Sequence, residues 1–368
     1  MRFISFRTTS VRATSNPTRA KGARAALVAL ALIACAWLPG SAFAQGVLMG
    51  SADLDGDNVA ETVYNNGSYI TVRSANGSSY NYQVSTGSWA LLYGNFTSVK
   101  DLDGTPGAEI PINIGGALMV INHNSRSSYN YQISSGSWAA SPGGITDLNG
   151  QPGAEIAIVT PNSLRIVDHR ARSTSSQPMS GTYAIAVHGI RDLDGQPGAE
   201  IPIANGSALR IYNYRTRSMS STPISSGSWA ICNDPGIPDC VSDMNGTPGA
   251  ELVLILPNAI SVYSYVTGSM STYNINAQYA ILSDGVRDFN GTAGNEIAVA
   301  RNDGHINIIY PRTGSLQLIS GNNTFGTWWS LLNYANLDGV AGDEIRVRNN
   351  GTARNYRIYP RTGSVMAE

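Results

Sequence analysis

Residues 101–112 read D-L-D-G-T-P-G-A-E-I-P-I, and near-copies of this stretch recur along the chain. The seven copies begin at Asp53, Asp101, Asp147, Asp192, Asp243, Asp288 and Asn336, which spaces them 45 to 51 residues apart. A period in the forties with several short strands per unit is typical of propeller blades, because one such unit cannot bury its apolar face alone. The repeats therefore predict an all-β fold, a seven-bladed β-propeller of four-stranded blades.

Short strands and tight turns fill the sequence between the copies. Apolar residues alternate, as at Ile201 and Ile203, and turns such as Asn-Gly-Ser separate the runs. No segment shows a sustained helical period. The ends of the chain match the first and last strands of one unit, so we expect each blade to be contiguous in sequence. Seven units favour a closed ring, in which the last blade packs on the first.

The first 44 residues have the pattern of a secretory signal peptide. Residues 1–24 carry six basic residues and no acid, residues 25–38 are apolar, and Ala42-Phe43-Ala44 is a cleavage site. The apolar run is shorter than the roughly 20 residues of a membrane-spanning helix, so membrane insertion is not expected. We predict cleavage after Ala44, a propeller domain over 45–368, and a secreted or periplasmic protein. Leu32-Ile33-Ala34-Cys35 supports an alternative, a lipoprotein anchored at Cys35.

The mature chain is acidic and contains two cysteines. Without its signal peptide it has 18 basic and 25 acidic residues, which argues against nucleic acid and anionic membranes as partners. Cys232 and Cys240 are an even pair in an exported protein, which predicts a disulfide that closes a Pro- and Gly-containing loop. Two free thiols are the alternative.

The repeated acidic loop resembles a cation site. Positions 1, 3 and 9 of each loop carry carboxylate or amide oxygens and position 4 is Gly, a set that suits the oxygen ligands and sharp bend of a calcium loop. The predicted calcium ligands are Asp53, Asp55, Asp57, Glu61, Asp101, Asp103, Glu109, Asp147, Asn149, Glu155, Asp192, Asp194, Glu200, Asp243, Asn245, Glu251, Asp288, Asn290, Glu296, Asn336, Asp338 and Glu344.

The density of acids in these loops favours a bound cation. The seven loops contain 19 of the 25 acidic residues, and such a set repels itself unless it is neutralised. The first loop, with four acids, should bind most tightly, and the last, with Asn336 and Val340, least. The alternative is an Asp-Gly turn held by hydrogen bonds between side chains and backbone. Asn149, Asn245 and Asn290 favour that alternative in their loops.

These loops resemble those of the FG-GAP and VCBS repeat family, which includes integrin α-subunit propellers and lectin-like relatives. The resemblance covers the whole mature chain. It implies a calcium ion in the loop between the first and second strands of a blade, bound by Asp101, Asp103 and Glu109 and their equivalents. The family's acid at loop position 5 is kept only as Asp57, and its Phe-Gly and Gly-Ala-Pro tags are mostly missing.

The functional prediction is an exported binding or adhesion module, with a glycan as the favoured ligand and an extracellular protein second. The face opposite the acidic loops should carry Asn-Gly-Ser turns and one aromatic residue per blade junction. The candidate ligand-binding residues there are Trp89, Trp138, Trp229, Trp328 and Trp329, and packing between blades is the alternative role. Trp328 and Trp329 are adjacent, so one of them should be exposed.

An enzyme is not expected. The four histidines fall at three different repeat positions, and the sequence has no Ser, His and Asp motif. A lyase or hydrolase built around the propeller axis and a purely structural scaffold are the alternatives to a binding module.

Overall fold

The computed structural model describes residues 46–84, 87–134, 136–224, 228–232, 240–321 and 324–368. The signal peptide, its cleavage site and Cys35 lie outside these residues, so those predictions stay predictions. Three 3-10 helices of three residues each are Leu92–Gly94, Phe96–Ser98 and Val187–Gly189. No helix in the described part of the chain has the length and apolar character needed to span a bilayer.

The described residues otherwise form 29 short strands. These are β1 Val47–Ala52, β2 Glu61–Asn65, β3 Tyr69–Arg73, β4 Ser79–Gln83, β5 Ala90–Leu91, β6 Ile110–Asn113, β7 Ala117–Asn122, β8 Ser127–Gln132, β9 Ala139–Thr146, β10 Glu155–Thr160, β11 Ser163–Asp168, β12 Ser173–Pro178, β13 Tyr183–Ile185, β14 Glu200–Asn205, β15 Ala208–Asn213, β16 Ser218–Pro223, β17 Ala230–Ile231, β18 Val241–Ser242, β19 Glu251–Ile255, β20 Ala259–Ser264, β21 Ser269–Asn274, β22 Tyr279–Arg287, β23 Glu296–Arg301, β24 Ile306–Tyr310, β25 Ser315–Ile319, β26 Trp329–Ala335, β27 Glu344–Asn349, β28 Asn355–Tyr359 and β29 Ser364–Ala367.

The strands form seven antiparallel sheets, which are the blades. Blades 1 to 4 contain β1–β4, β5–β8, β9–β12 and β13–β16, and blades 5 to 7 contain β17–β21, β22–β25 and β26–β29. In blade 5 the first strand is interrupted, so β17 and β18 both pair with β19. The predicted seven-bladed β-propeller of four-stranded blades is confirmed, and each blade is contiguous in sequence, as predicted.

The interruption in blade 5 carries the predicted disulfide. Cys232 and Cys240 are bonded, with their Cα atoms 5.7 Å apart. Both cysteines are hydrogen-bonded to the backbone of Val253 in β19. The N–H of Cys232 donates to the Val253 carbonyl, and the N–H of Val253 donates to the Cys240 carbonyl. The loop between the cysteines, 233–239, lies outside the described residues. The bridge therefore joins the two halves of one interrupted strand.

Apolar residues on both sides of the central strands hold the blades together. In β14, Ile201, Pro202 and Ile203 are all buried, because alternate side chains face different neighbouring blades. Six buried clusters each join two successive blades, from blades 1 and 2 to blades 6 and 7. Each fully buried Ile or Leu in them contributes roughly 1.5–3 kcal/mol.

Blades 1 and 7 differ from the others on their outward sides. Among the described residues, no apolar cluster and no hydrogen bond joins blade 7 to blade 1. Blade 1 has Thr62 and Tyr64 where the other six blades have buried Ile, Leu or Val. Blade 7 has Arg346 and Arg357 at positions that are small or aliphatic and buried elsewhere. The expected packing of the last blade on the first is therefore absent from the described contacts, since it would bury charged and polar groups.

Candidate metal loops and inter-blade clefts

The acidic loops connect the first and second strands of each blade and are held by hydrogen bonds from their own backbone. In blade 2, Asp101 Oδ1 accepts from the N–H of Gly104 at 2.6 Å, and Asp103 Oδ1 accepts from the N–H of Thr105 at 2.9 Å. Glu109 Oε2 accepts from the N–H of Leu102 at 2.7 Å. In blade 2, one oxygen of each of these acids is thus a turn acceptor, which leaves the second oxygen for another partner.

Successive loops are joined to one another in a row. The N–H of Ala108 donates to the carbonyl of Asp53 at 2.9 Å, and the equivalent bond recurs at each later junction up to Asp343 and Asp288. Gly104 adopts φ +77°, and a Cβ there would lie 2.6 Å from the carbonyl oxygen of Pro152 in the next loop. Positive φ favours glycine at loop position 4 in all seven blades, and close approach of the next loop also requires it in the first six.

Three loops bring three carboxylates together. In each, one oxygen per residue lies within 4.8 Å of the others, and the groups are Asp53, Asp55 and Asp57 in blade 1, Asp101, Asp103 and Glu109 in blade 2, and Asp192, Asp194 and Glu200 in blade 4. Oxygen-only sets of this kind suit calcium. These three loops fit a calcium ion by their donor chemistry.

In blades 3, 5 and 6 the side-chain amide at loop position 3 donates to the glutamate at position 9. Asn149 Nδ2 donates to Glu155 Oε1 at 2.5 Å, while its Oδ1 accepts from the N–H of Gln151 at 2.7 Å. The orientation of the amide is fixed by this pair of contacts. The same arrangement occurs with two other pairs: Asn245 with Glu251, and Asn290 with Glu296.

In blade 7 a guanidinium group contacts the acids of the loop. Arg361 pairs with Asp338 at 2.5 Å and lies 3.6 Å from Glu344, while Asn336 Nδ2 donates to the carbonyl of Val340. Asp147, Asp243 and Asp288 accept from the N–H of their loop glycines, as Asp101 does. Among the described residues, the structure thus distinguishes three loops with three clustered carboxylates from four loops without such a cluster. Side-chain donors also contact the acids of two clustered loops: Asn122 in blade 2, and Asn213 and Arg215 in blade 4.

The glutamate at loop position 9 is buried, and this disfavours its charged form. Burial and the neighbouring Asp103 and Asp101 raise the pKa of Glu109 to about 8, against the opposing hydrogen bond from Leu102. Burial likewise raises the pKa of Glu200 to about 7. A cation beside these carboxylates offsets that penalty.

The aromatic residues at the blade junctions bind the turn of the preceding blade. The indole N–H groups of Trp89 and Trp138 donate at 2.6 Å to the carbonyls of Gly67 and Gly115. The equivalent residues that make this contact are Trp229, Trp329, Tyr183 and Tyr279. All six are half-buried. Four of the five candidate tryptophans therefore contribute to packing between blades, the alternative role considered above.

Trp328 and Trp329 differ in their surroundings. Trp329 occupies the junction position, donates to Gly304 at 2.9 Å and packs edge-on against Phe325. Trp328 is 68% exposed. One of the adjacent indoles is thus exposed, as expected.

This pair allows a test of the packing role. Trp329→Ala should lower the stability of the protein by about 2 kcal/mol, because it removes a half-buried indole and its hydrogen bond. Trp328→Ala, its matched control, should leave stability within about 0.5 kcal/mol of the parent, as surface substitutions usually do. Denaturant unfolding of both variants measures the difference, and equal losses contradict the assignment.

Two related clefts lie between blades 1 and 2 and between blades 2 and 3, on the side of the acidic loops. The first has a volume of about 450 Å³ and is lined by Asp55, Tyr80, His123 and Arg126, among others. The second, of about 640 Å³, is lined at the equivalent places by Asp103, Tyr129, His169 and Arg172.

The same contacts are repeated in both clefts. The hydroxyl of Tyr82 contacts His123 Nδ1 at 2.7 Å in the first cleft, and Tyr131 contacts His169 Nδ1 at the same distance in the second. Both histidines are 8% exposed, and burial lowers their pKa values. The sequence spacing of the histidines did not indicate these clefts, because their partners lie 38 to 41 residues away in another blade.

Ser320, His305 and Asp303 also lie near one another in blade 6. Ser320 Oγ is 3.4 Å from His305 Nε2, and His305 Nδ1 is 3.2 Å from Asp303 Oδ1. An activated serine usually lies about 2.6–3.2 Å from its base. Asp303 is 41% exposed and is paired with Arg301 at 2.5 Å, which competes for its charge. This arrangement does not favour a nucleophilic serine.

No protein-family model and no curated protein matches this chain. Solved structures similar to it include a streptogramin B lyase, with 12% identity over 86% of this chain and 91% of that one and a TM-score of 0.32. BamB from Moraxella catarrhalis shows 14% identity over 87% and 90% of the two chains, with a TM-score of 0.30. BBS1N in complex with ARL6DN shows 10% identity over 87% and 93%, with a TM-score of 0.31. All three are β-propellers, and the similarity concerns the fold alone.

Proposed function

We propose that this protein is an exported, calcium-stabilised β-propeller of the FG-GAP and VCBS type that binds an extracellular ligand, with a glycan as the favoured class. The observation that carries the binding role is the pair of equivalent polar clefts between blades 1, 2 and 3. Their volumes fall within the roughly 300–1,000 Å³ of small-molecule sites.

The calcium part of the proposal is supported by the carboxylate groups of blades 1, 2 and 4. Of these loops, the first has four acids that, among the described residues, accept hydrogen bonds from backbone N–H groups and from no side-chain amide or guanidinium group. In the other two, Asn122 and Asn213 already donate to two of the acids, and Arg215 also pairs with Asp194 in blade 4. We therefore rank the first loop as the tightest site and the Arg361-paired loop of blade 7 as the weakest.

A glycan array tests the ligand class. The mature protein should bind a subset of glycans in calcium, and binding should weaken in EDTA if the ion fixes the loops that border the clefts. If glycan binding is equally strong in calcium and in EDTA at 25 °C, the protein binds glycans without needing calcium for binding. No binding to any glycan removes the favoured ligand class.

An extracellular protein is the second candidate ligand, and the exposure of Trp328 favours it. An exposed indole is a frequent anchor at protein interfaces. In this case Trp328→Ala should abolish a protein contact without affecting glycan binding. No feature of the described residues specifically favours the enzyme or the scaffold alternative.

A further inference from the structure

The two clefts share a tyrosine and a histidine at equivalent repeat positions, and this pair is present at these two blade junctions and at none of the other described junctions. Tyr80 and Tyr129 belong to the same repeated stretch, S-S-Y-N-Y-Q, at residues 78–83 and 127–132. The blade that follows each stretch supplies a histidine, His123 or His169. At the other four described junctions, the Tyr80 position holds Ser175, Ser220, Ser271 or Gln317, and the His123 position holds Tyr214, Tyr265, Pro311 or Pro360. The pairing of these residues indicates a shared role at two junctions.

An arginine with a strained backbone completes each cleft. Arg126 has φ +52° and Arg172 has φ +50°, a backbone conformation that residues other than glycine rarely adopt. Blades 1, 5, 6 and 7 have glycine at this turn position, namely Gly77, Gly268, Gly314 and Gly363. The arginines keep this conformation although glycine fits it better, and such outliers cluster at functional sites.

Each arginine and histidine faces the cleft next to a partly exposed ring. The guanidinium carbons of Arg126 and Arg172 lie 5.6 and 5.8 Å from the ring centres of Tyr80 and Tyr129. Those tyrosines are 38% and 40% exposed. Both histidines are more than nine-tenths buried, and no described group hydrogen-bonds their Nε2 atoms.

The donors and acceptors of the second cleft are mixed. Asp103 offers an acceptor, Arg172 offers donors, and Ser127 and Ser128 offer hydroxyl groups that do both. The imidazole Nε2 of His169 donates or accepts according to the tautomer that Tyr131 stabilises. A ligand of one charge sign would meet a like charge, and an apolar ligand would leave these groups unpaired.

We propose that each cleft binds one ring of a neutral saccharide, stacked against Tyr80 or Tyr129 and hydrogen-bonded through its hydroxyl groups to the Arg, His and Asp of that cleft. Sugar hydroxyls both donate and accept, so they match this mixed set. The tyrosine supplies the flat surface that a sugar ring stacks on. This inference rests on the proposed glycan-binding function and adds the residues that contact the sugar and the stoichiometry of two.

Calorimetry with methyl glycosides of glucose, galactose, mannose, fucose, xylose and N-acetylglucosamine tests the proposal at saturating calcium. The parent should bind one of these sugars at two sites per chain. Tyr80→Ala and Tyr129→Ala should each leave one site, and the double variant should leave none. Tyr80→Phe and Tyr129→Phe keep the ring and should retain binding within about threefold.

The arginines provide variants that separate binding from folding. Arg126→Gly and Arg172→Gly place glycine where the backbone favours it, so the melting temperature should stay the same or rise while affinity falls at least tenfold at one site. Arg217→Gly is the matched control, because Arg217 has φ +56° at the same turn position but packs on Tyr214 of its own turn. It should leave sugar binding unchanged.

The outcomes distinguish the two levels of the proposal. If a glycan binds and the tyrosine and arginine variants of the clefts bind it as the parent does, the cleft assignment is wrong and the glycan-binding function stands. If none of the methyl glycosides and no glycan on the array binds, both are wrong. Loss of binding in the stable arginine variants, with binding intact in Arg217→Gly, supports the clefts.

Discussion

Calcium should stabilise the protein more at pH 8 than at pH 5. A ligand that binds the folded state alone adds about 2.7 kcal/mol per site at a hundredfold excess over its Kd. Three loops have the clustered carboxylates to bind it, those of blades 1, 2 and 4. Burial raises the pKa of Glu109 to about 8 and that of Glu200 to about 7, so protons compete with calcium for these two carboxylates much more at pH 5 than at pH 8. Thermal melts in calcium and in EDTA at both pH values measure the effect.

The sign of the pH effect follows from the buried glutamates. The folded-state pKa is raised to about 8 for Glu109 and to about 7 for Glu155, Glu200 and Glu296, mainly by burial. A raised pKa means that the folded state binds more protons than the unfolded state between the ordinary pKa of glutamate and these values. In EDTA, stability should therefore fall as the pH rises from about 5 to about 8.

Two matched substitutions separate calcium from proton binding. Glu109→Gln removes a titrating group and a calcium ligand from a loop of clustered acids. Glu155→Gln removes the same group from the loop of blade 3, in which position 3 is Asn149 and no cluster of three carboxylates forms among the described residues. Both should reduce the pH dependence in EDTA, and only Glu109→Gln should reduce the stabilisation by calcium at pH 8. Equal calcium effects in the two variants, or none in the parent, contradict the assignment of the loops.

The architecture could be predicted from the sequence because the acidic loop recurs seven times with little variation. The loop needs glycine at position 4, and the strand after it needs apolar residues. Both requirements leave a residue pattern that can be recognised without aligning other sequences. The different states of the loops were partly visible: Asn149, Asn245 and Asn290 indicated internal hydrogen bonds. The role of Arg361 was not visible, since its contact with Asp338 depends on where the turn between β28 and β29 lies.

Contacts between blades were the part that sequence reasoning missed. The tryptophans were considered as a ligand surface, and most of them contact the turn of the preceding blade. Tyr82 and His123 lie 41 residues apart and meet because successive blades pack side by side. The duplicated stretch that contains Tyr80 and Tyr129 was the available signal, and only comparison of one repeat with the next reveals it.

The polar end faces of the propeller are also visible only as departures from the repeat. Thr62 and Tyr64 stand on the outward side of blade 1, and Arg346, Asn355 and Arg357 on that of blade 7. The first acidic loop has Val59 at position 7, where each later loop has a glycine that closely approaches the preceding loop. In stacked repeats, terminal units with a polar outer face keep the array soluble. These residues are therefore expected to act as caps.

Removing blade 7 tests this role, and its effect should be large. A chain that ends at residue 321 exposes the side chains of blade 6 that pack on blade 7, including Leu282, Phe289, Ile306 and Ile308. Exposing each of these side chains costs roughly 1.5–3 kcal/mol of folding free energy, so this chain should aggregate or unfold. The substitutions Ala298→Arg, Ile306→Asn and Ile308→Arg copy the outward side of blade 7 onto blade 6. They should restore a soluble, cooperatively folding chain of six blades.

The same three substitutions in the full-length chain are the control, and they should have the opposite effect. There they place two arginines and an asparagine in the buried junction between blades 6 and 7, where Ala298, Ile306 and Ile308 are 0% exposed. Unpaired buried charges cost several kcal/mol each, roughly 3–5 by analogy with broken buried ion pairs, so the full-length variant should unfold. Circular dichroism and size-exclusion chromatography distinguish the four chains. If the substitutions fail to rescue the six-blade chain, the assignment of the polar residues of blade 7 as caps is wrong.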